Sequence, residues 1–303
     1  MSISRQNLTI VIVTFKSEKI IDKCINSIGQ NVPIIIVENS NNQKFKRDLE
    51  SKYKNLKCIL SGSNLGMGAG NNVGIKAATT DFVFILNPDT TLEPNTLDEI
   101  YLAVGRAEVN SLDFSILSPI SSAKNFPNYG ISNKKKKKYL EDFEQIKEKG
   151  LPFVVDYVDG FSMLLNKGKF KNDNYFDENF FMYLENNDLC KRVINEGGNI
   201  FIIQSTKINH EGGKAVDPKF YKELELSRNW HWVWSKYYFN KKNFGFSKAL
   251  KECLPTFISS ILKIVFYTLI NNSFKKEIYL NRVLGFYNAL TGKSSWYRPK
   301  IDS

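Results

Sequence analysis

Phe84-Ile85-Leu86-Asn87-Pro88-Asp89-Thr90 is the stretch that decides how this 303-residue chain folds. An apolar run carries the backbone out of a sheet and stops on a carboxylate held by a proline-stiffened turn. Upstream, Leu8 to Thr14 is a continuous apolar, β-branched run, as expected of a strand buried on both faces. Ser17 is placed to cap a helix in which Ile20, Ile21, Cys24, Ile25 and Ile28 recur at helical spacing before Gly29. Pro33 to Glu38 reads as a second buried strand, 43–54 as a charged helix and 56–61 as a third strand. The glycine-rich Asn64-Leu65-Gly66-Met67-Gly68-Ala69-Gly70-Asn71-Asn72 reads as a turn, followed by a small helix to Ala78. Strands alternating with helices predict a mostly parallel α/β sheet with right-handed crossovers. Ligands bind such sheets beyond the carboxyl ends of the strands, and Thr14, Glu38, Asn64 and Asp89 all fall there.

The composition, 42% apolar and 13% aromatic, is sufficient for a sizeable core and argues against wholesale disorder. Cys24, Cys58, Cys190 and Cys253 are scattered, with no CxxC pair and no metal spacing, as expected of reduced, packed thiols in a cytosolic protein. Residues 1–7 are short and polar, so no secretory signal is expected and the active face is placed in the cytoplasm.

Farther along, Ser121-Ser122-Ala123-Lys124-Asn125 and the five lysines 134–138 read as an exposed excursion, the lysine run as a solvated loop. Order returns with a strand at Val154 to Leu165 broken by Asp159-Gly160, a helix over 185–196, a strand at Ile200 to Ile203 and a helix over 219–240. Glu185-Asn186-Asn187-Asp188 opens the first of those helices. Glu185 and Asp188 stand at i and i+3 and so share a face, while Arg192 lies at i+4 from Asp188, ready for a buried ion pair. The Asn64–Asn72 segment fails as a dinucleotide fingerprint, because Asn71 stands where the third glycine is needed. Asp89 can hold a divalent cation or merely cap the next turn. His210 can be a ligand or structural, and His231, inside Trp230-His231-Trp232-Val233-Trp234, reads as packing.

Taken together, Asn87-Pro88-Asp89, the glycine-rich segment, Phe176-Asp177-Glu178, Glu185 to Cys190 and His210 resemble glycosyltransferase family 2, inverting enzymes that use nucleotide-diphosphate sugars. The likeness runs over about residues 8 to 240 and is closest to the bacterial rhamnosyltransferase-like branch. It implies a GT-A fold, Rossmann-like and mostly parallel with helices on both faces. It further implies a donor site of Thr14, Phe15, Glu38, Asn64, Gly66, Gly70, Asn71, Asn87 and Asp89, and Mg2+ or Mn2+ held by Asp89 and His210. Asp159 and Gly160 match a loop under the donor sugar, and Asp177 a stretch shaping the acceptor side. Glu38 stands where the family usually has Asp. The family's base is the second residue of a Glu-Asp pair, which here is Asn186; an amide cannot take a proton, so the role passes to Glu185 or Asp188.

Residues 241–303 carry eleven Lys and Arg against three acids, a net of +8 within the chain's +11. Leu254 to Ile270 is mostly apolar, short for a spanning helix and carries Lys263 near its middle, so interfacial attachment to an anionic membrane surface competes with a simple helical cap. The expected organisation is a glycosyltransferase domain over 1–240 and a basic, aromatic helical tail over 241–303. The expected partners are a dTDP-, UDP- or GDP-linked sugar and a saccharide or lipid-linked acceptor, with the protein peripheral on the inner face of the cytoplasmic membrane. A protein that binds nucleotide sugar without turning it over is the rival suggested by Asn186. Nucleic-acid binding is suggested by charge alone and lacks an interleaved aromatic recognition motif.

Overall fold

The computed structural model describes residues 7–123, 127–213, 215–299 and 301. The chain divides into two compact units, one of Met1–Asn64, Gly70–Phe176 and Asn186–Asp217, the other of Leu65–Ala69, Asp177–Glu185 and Pro218–Ser303. Lys124 and Asn125, part of the excursion expected from the sequence, lie outside the described residues.

In chain order the structure opens with β1 (Leu8–Thr14), α1 (Ile21–Ile28), β2 (Ile34–Glu38), α2 (Gln43–Lys52), β3 (Leu56–Leu60), α3 (Met67–Ala77) and β4 (Phe82–Leu86). β1 pairs in parallel with β2 and β4, and β2 with β3, giving the order β3-β2-β1-β4. β1, β2 and β4 are buried along their whole length, as continuous apolar runs require. Then follow β5 (Thr90–Leu92), α4 (Thr96–Val109), β6 (Ile116–Ser121), β7 (Tyr129–Gly130), α5 (Asn133–Glu141) and α6 (Phe143–Lys149). β8 (Phe153–Val155), β9 (Tyr157–Val158), β10 (Ser162–Asn166), α7 (Glu185–Asn195) and β11 (Ile200–His210) come next. β10 runs antiparallel between β4 and β6, and β11 runs parallel to β6 but antiparallel to β8 and β5. The result is a mixed, mostly parallel α/β sheet, nine strands among the described residues, with β7 and β9 as a separate pair.

Four local readings differ from the sequence expectation. Ser17 does not cap α1 with its side chain, because its hydroxyl donates to the carbonyl of Ala215 (2.7 Å). The glycine-rich turn ends at Gly66, and Gly68 and Gly70 already belong to α3. The lysine run 134–138 is helical in α5, solvated as expected but wound by i,i+4 pairs such as Lys138 with Asp142 (2.9 Å). β11 does not stop at Ile203; a register shift between Ile203 and Lys207 lets it continue to His210.

Gly70 and Gly74 explain why α3 lies so close to β1. Four helical residues rise about 6 Å and two strand residues about 6.6 Å, so the two glycines match Val13 and Val11 in step. A Cβ at Gly74 would sit 2.4 Å from Val11 Cγ1, and one at Gly70 2.9 Å from Val13 Cγ1.

The second unit holds α8 (Tyr221–Phe244), α9 (Phe246–Leu269) and α10 (Ser273–Leu290), with the chain to Arg298 folded back on α8. Its core is aromatic, with Trp230, Trp234, Tyr237 and Phe286 closing on Ala249, Cys253 and Ala289. His231 is fully buried, hydrogen-bonded through Nε2 to the carbonyl of Tyr297 (2.8 Å). Burial pushes its pKa down to about 3, so it packs as a neutral ring, as the sequence suggests.

Gly74→Ala tests the contact with β1. Helix propensity alone favours alanine by about 1 kcal/mol, whereas overpacking against a stiff β-branched side chain costs about 1–3 kcal/mol. We expect a net loss of stability in urea denaturation for Gly74→Ala, and a gain of about 0.5–1 kcal/mol for Gly105→Ala in α4, where a Cβ meets nothing within 4 Å. Equal effects at the two positions would remove the steric argument.

Candidate active site

The site begins at the end of β4. Asn87 N–H donates to the carbonyl of Phe161 (3.0 Å), and the Asn87 carbonyl accepts from both the N–H (3.2 Å) and the hydroxyl (2.6 Å) of Thr90. This closed turn presents Asp89, whose own carbonyl accepts from Glu211 N–H (3.1 Å). β5 then pairs with the end of β11 in the register Thr90 to His210, which carries the imidazole to the carboxylate: His210 Nε2 lies 3.3 Å from Asp89 Oδ1. Phe161 stacks on the His210 ring (centroids 4.2 Å apart, planes 16° apart) and sets its orientation. Asp159 belongs to the same neighbourhood. Burial raises its pKa, an effect opposed by the charge of His210. No signal in the sequence singled out Phe161, since a buried aromatic beside a glycine is ordinary core.

A hard carboxylate beside an imidazole is a donor set suited to Mn2+, and less demandingly to Mg2+. Asn87 Oδ1 is a buried oxygen with no hydrogen-bond partner among the described residues. Those residues hold no group of three or more His, Cys, Asp or Glu able to cage a metal. The arrangement therefore fits a cation that completes its shell with oxygens of a bound ligand, rather than an all-protein site.

Along the strand ends, Thr14 and Asn71 are buried and their Oγ1 and Oδ1 atoms also lack partners among the described residues. Phe15 and Asn64 are half-buried at the same edge. Glu38 is fully buried, but its carboxylate is occupied: it accepts from Ser40 N–H (2.9 Å), the Ser40 hydroxyl and Asn42 N–H (2.7 Å). It shapes the turn after β2, a role the methylene longer than Asp allows it to reach. Asn72, which the sequence did not single out, clamps the backbone of Phe176 by donating to its carbonyl and accepting from its N–H, both at 2.9 Å. In the second unit, Gly66 adopts φ +83°, and a Cβ there would lie 2.0 Å from the carbonyl oxygen of Phe181. The groups that lie closest to these glycines are Phe181 at Gly66 and Val13 at Gly70.

At α7 the structure separates the carboxylates. Asp188 is completely buried and ion-paired with Arg192 (3.6 Å), whose guanidinium also donates to the carbonyls of Asn174 and Tyr175. Asn186 is buried with its amide donating to the carbonyl of Val158 (3.0 Å), and Gly160 leaves room for it, a Cβ there coming within 3.3 Å of Asn186 Cβ. A carboxylate at 186 would turn an oxygen toward that carbonyl with no proton to offer. Glu185 is nine-tenths buried, its Oε2 without a partner among the described residues, and burial pushes its carboxyl up to about 7. Asp177 is engaged in the second unit by Tyr238 Oη (3.0 Å), Lys242 Nζ (2.7 Å) and Asn179 N–H (3.0 Å). Burial raises its carboxyl, but Lys242 and Asn179 outweigh it and hold the group below the usual range.

Comparison with known proteins points one way. The model of the family described as Glycosyl transferase family 2 matches residues 9–172. The low-salt glycan biosynthesis hexosyltransferase Agl10 of Haloferax volcanii is 28% identical over 207 residues, 64% of each chain, so this chain spans just under two thirds of that relative's length. The rhamnosyltransferase WbbL of Escherichia coli K12 is also 28% identical over 207 residues, 61% of this chain and 75% of its own. Among solved structures, the mannosyltransferase PcManGT of Pyrobaculum calidifontis, in complex with GDP-Man and Mn2+, superposes with a TM-score of 0.54 at 10% identity over 95% of this chain and 88% of its own, a likeness of fold.

The raised carboxyl of Glu185 has a signature in stability. A group whose folded pKa lies above its unfolded value of 4.5 stabilises the fold in its protonated form; that contribution is complete below about pH 4.5 and is lost as pH rises through about 7. Glu185→Gln removes the penalty. We expect the variant and the parent to have equal stability near pH 4.5 and the variant to be more stable by about 3 kcal/mol above pH 7.5, read by denaturation across that range. A difference independent of pH would mean the carboxyl titrates normally.

Proposed function

This chain belongs to glycosyl transferase family 2, and from that membership we propose that it transfers a hexose or deoxyhexose, with inversion, from a nucleotide-diphosphate donor to an acceptor hydroxyl. The observation that carries the reading is the Asp89–His210 pair at the strand ends. Thr14 Oγ1, Asn71 Oδ1 and Asn87 Oδ1, buried without partners among the described residues, support a polar ligand along the same edge, because each such atom costs about 1–3 kcal/mol until one supplies a partner. Asp89 and His210 would hold Mg2+ or Mn2+, which when bound neutralises charge on the donor diphosphate.

Glu185 is the base in this proposal. Its carboxylate takes the acceptor proton as the hydroxyl oxygen bonds to the anomeric carbon and the bond from that carbon to the diphosphate oxygen breaks, the nucleoside diphosphate leaving with the electron pair. A carboxyl near 7 suits this work, being half ionised at neutral pH and still basic enough to accept the proton. Asp188, committed to Arg192, is the weaker candidate. The amide of Asn186 favours the rival, a donor-binding protein without turnover, and the same experiments separate the two. The donor we propose first is a dTDP-deoxysugar such as dTDP-rhamnose, with UDP- and GDP-linked sugars as competitors. The acceptor is the hydroxyl of a surface glycan or lipid-linked saccharide. The name of the Escherichia coli relative, a rhamnosyltransferase, supports the deoxyhexose, and that of the Haloferax relative, a hexosyltransferase of glycan biosynthesis, supports a glycan acceptor.

Calorimetric titration with dTDP, UDP and GDP, each with and without Mn2+, tests the donor site. One nucleotide should bind at least tenfold more tightly with the metal, and Asp89→Ala should abolish that enhancement; metal-dependent binding undiminished in Asp89→Ala would remove the assignment. For the base, Glu185→Gln should leave nucleotide affinity unchanged and lower kcat by roughly 10²–10⁴. The parent's kcat should rise with pH about a midpoint near 7, and that limb should vanish in the variant. Binding without turnover of any matching sugar nucleotide would favour the rival.

A further inference from the structure

Helix α9 is apolar on two opposite faces. One is spent inside the second unit, where Ala249, Cys253 and Ser260 are completely buried against α8 and α10. At about 100° per residue, Leu254, Ile258, Ile261, Leu262, Val265 and Leu269 form a single stripe roughly 100° wide on the other side. All six are exposed, from 39% at Leu254 to 80% at Leu269. A helix that merely capped a water-soluble bundle would turn polar residues outward there.

Charge frames the stripe. Lys248 and Lys251 stand exposed at its start and Lys275 and Lys276 just beyond its end, at the head of α10. Lys263 interrupts the apolar run in the sequence but not the stripe: its ammonium lies over the Tyr279 ring of α10, 4.8 Å from the centroid. Among the described residues α9 is the one helix long and apolar enough to cross a membrane. Its inner face is already committed to the aromatic core, and a spanning helix would have to surrender that face.

We infer that the outer face of α9 is a docking surface for a lipid bilayer carrying anionic headgroups, α9 lying in the plane of the interface with the stripe among the acyl chains and the four lysines on phosphates. Charge complementarity commits the face to that occupant. This inference stands apart from the donor site, and a failure of one leaves the other untouched.

The experiment is co-sedimentation of the full chain with vesicles of phosphatidylcholine alone or of phosphatidylcholine mixed with phosphatidylglycerol, at low and high salt. The parent should sediment with the anionic vesicles at least tenfold more strongly than with the neutral ones, and salt should weaken the binding. Leu262→Glu with Val265→Glu should lose it at least tenfold, as should Lys251→Ser with Lys275→Ser and Lys276→Ser, while nucleotide binding and thermal melting stay unchanged. A parent that stays in the supernatant with both vesicles overturns the inference, as does a double glutamate variant that still binds. A parent dimer in sedimentation velocity that the same glutamates dissociate also overturns it, assigning the face to a second copy of the chain.

Discussion

The pairing of three-residue β5 with the far end of β11 is the constraint on which the candidate site rests. Neither Asp89 nor His210 is informative alone. They meet because β11 survives a register shift past Ile203 and runs on to lie antiparallel to Thr90–Leu92. Backbone hydrogen bonds, not side-chain preference, make that extension, and the closed Asn87–Thr90 turn then fixes the carboxylate where the strand delivers the imidazole. Phe161, stacked on the ring, removes the last freedom. A site assembled from two sheet edges in this way is stiffened by the backbone pairing itself.

The strands of the first half of the sheet were legible because both faces are buried, so the apolar runs at 8–14, 34–38 and 82–86 are uninterrupted and strand-length. β11 was half legible for the converse reason. Gln204, Ser205, Lys207 and Asn209 face solvent or neighbours other than the core, and an apolar count sees only Ile200 to Ile203. The glycine-rich segment read as a turn and its second half not as helix, since three glycines in nine residues score poorly for helix. What tips the balance is the in-step fit of Gly70 and Gly74 against Val13 and Val11, a tertiary fact. The lysine run wound into a helix with Glu141 and Asp142, each four residues beyond Lys137 and Lys138, offsetting part of its repulsion, which composition alone does not show.

Within α7 the sequence narrowed the candidate base to two carboxylates, and geometry separates their environments. Asp188 and Arg192 form the buried pair that i,i+4 spacing offers. Asn186 is not an idle substitution: its amide makes a bond to Val158 that an ionised carboxylate could not. The two facts leave Glu185 as the buried acid of that turn with an oxygen unspoken for among the described residues, and burial without compensation is what raises its pKa toward neutrality.

The helices after residue 217 bear on that same carboxylate through the second unit's own packing. Tyr183 and Leu184, immediately before Glu185, both sit at positive φ (70° and 65°), a conformation costing of order 1–3 kcal/mol per non-glycine residue. Neighbouring bonds must hold them. Ser235 of α8 donates to the carbonyl of Met182 (2.7 Å), Trp232 meets the Tyr183 ring edge-on (5.5 Å), and Tyr238 with Lys242 grips Asp177 at the start of the segment. His231 and the Arg298 guanidinium (3.9 Å from the ring centroid) both bear on Phe181. Read from sequence, α8 is an aromatic helix near a domain end and the residues after it a basic tail. In the fold they are the frame that keeps a strained loop in place, so the position of Glu185 is set as much by residues 231–298 as by the helix it begins.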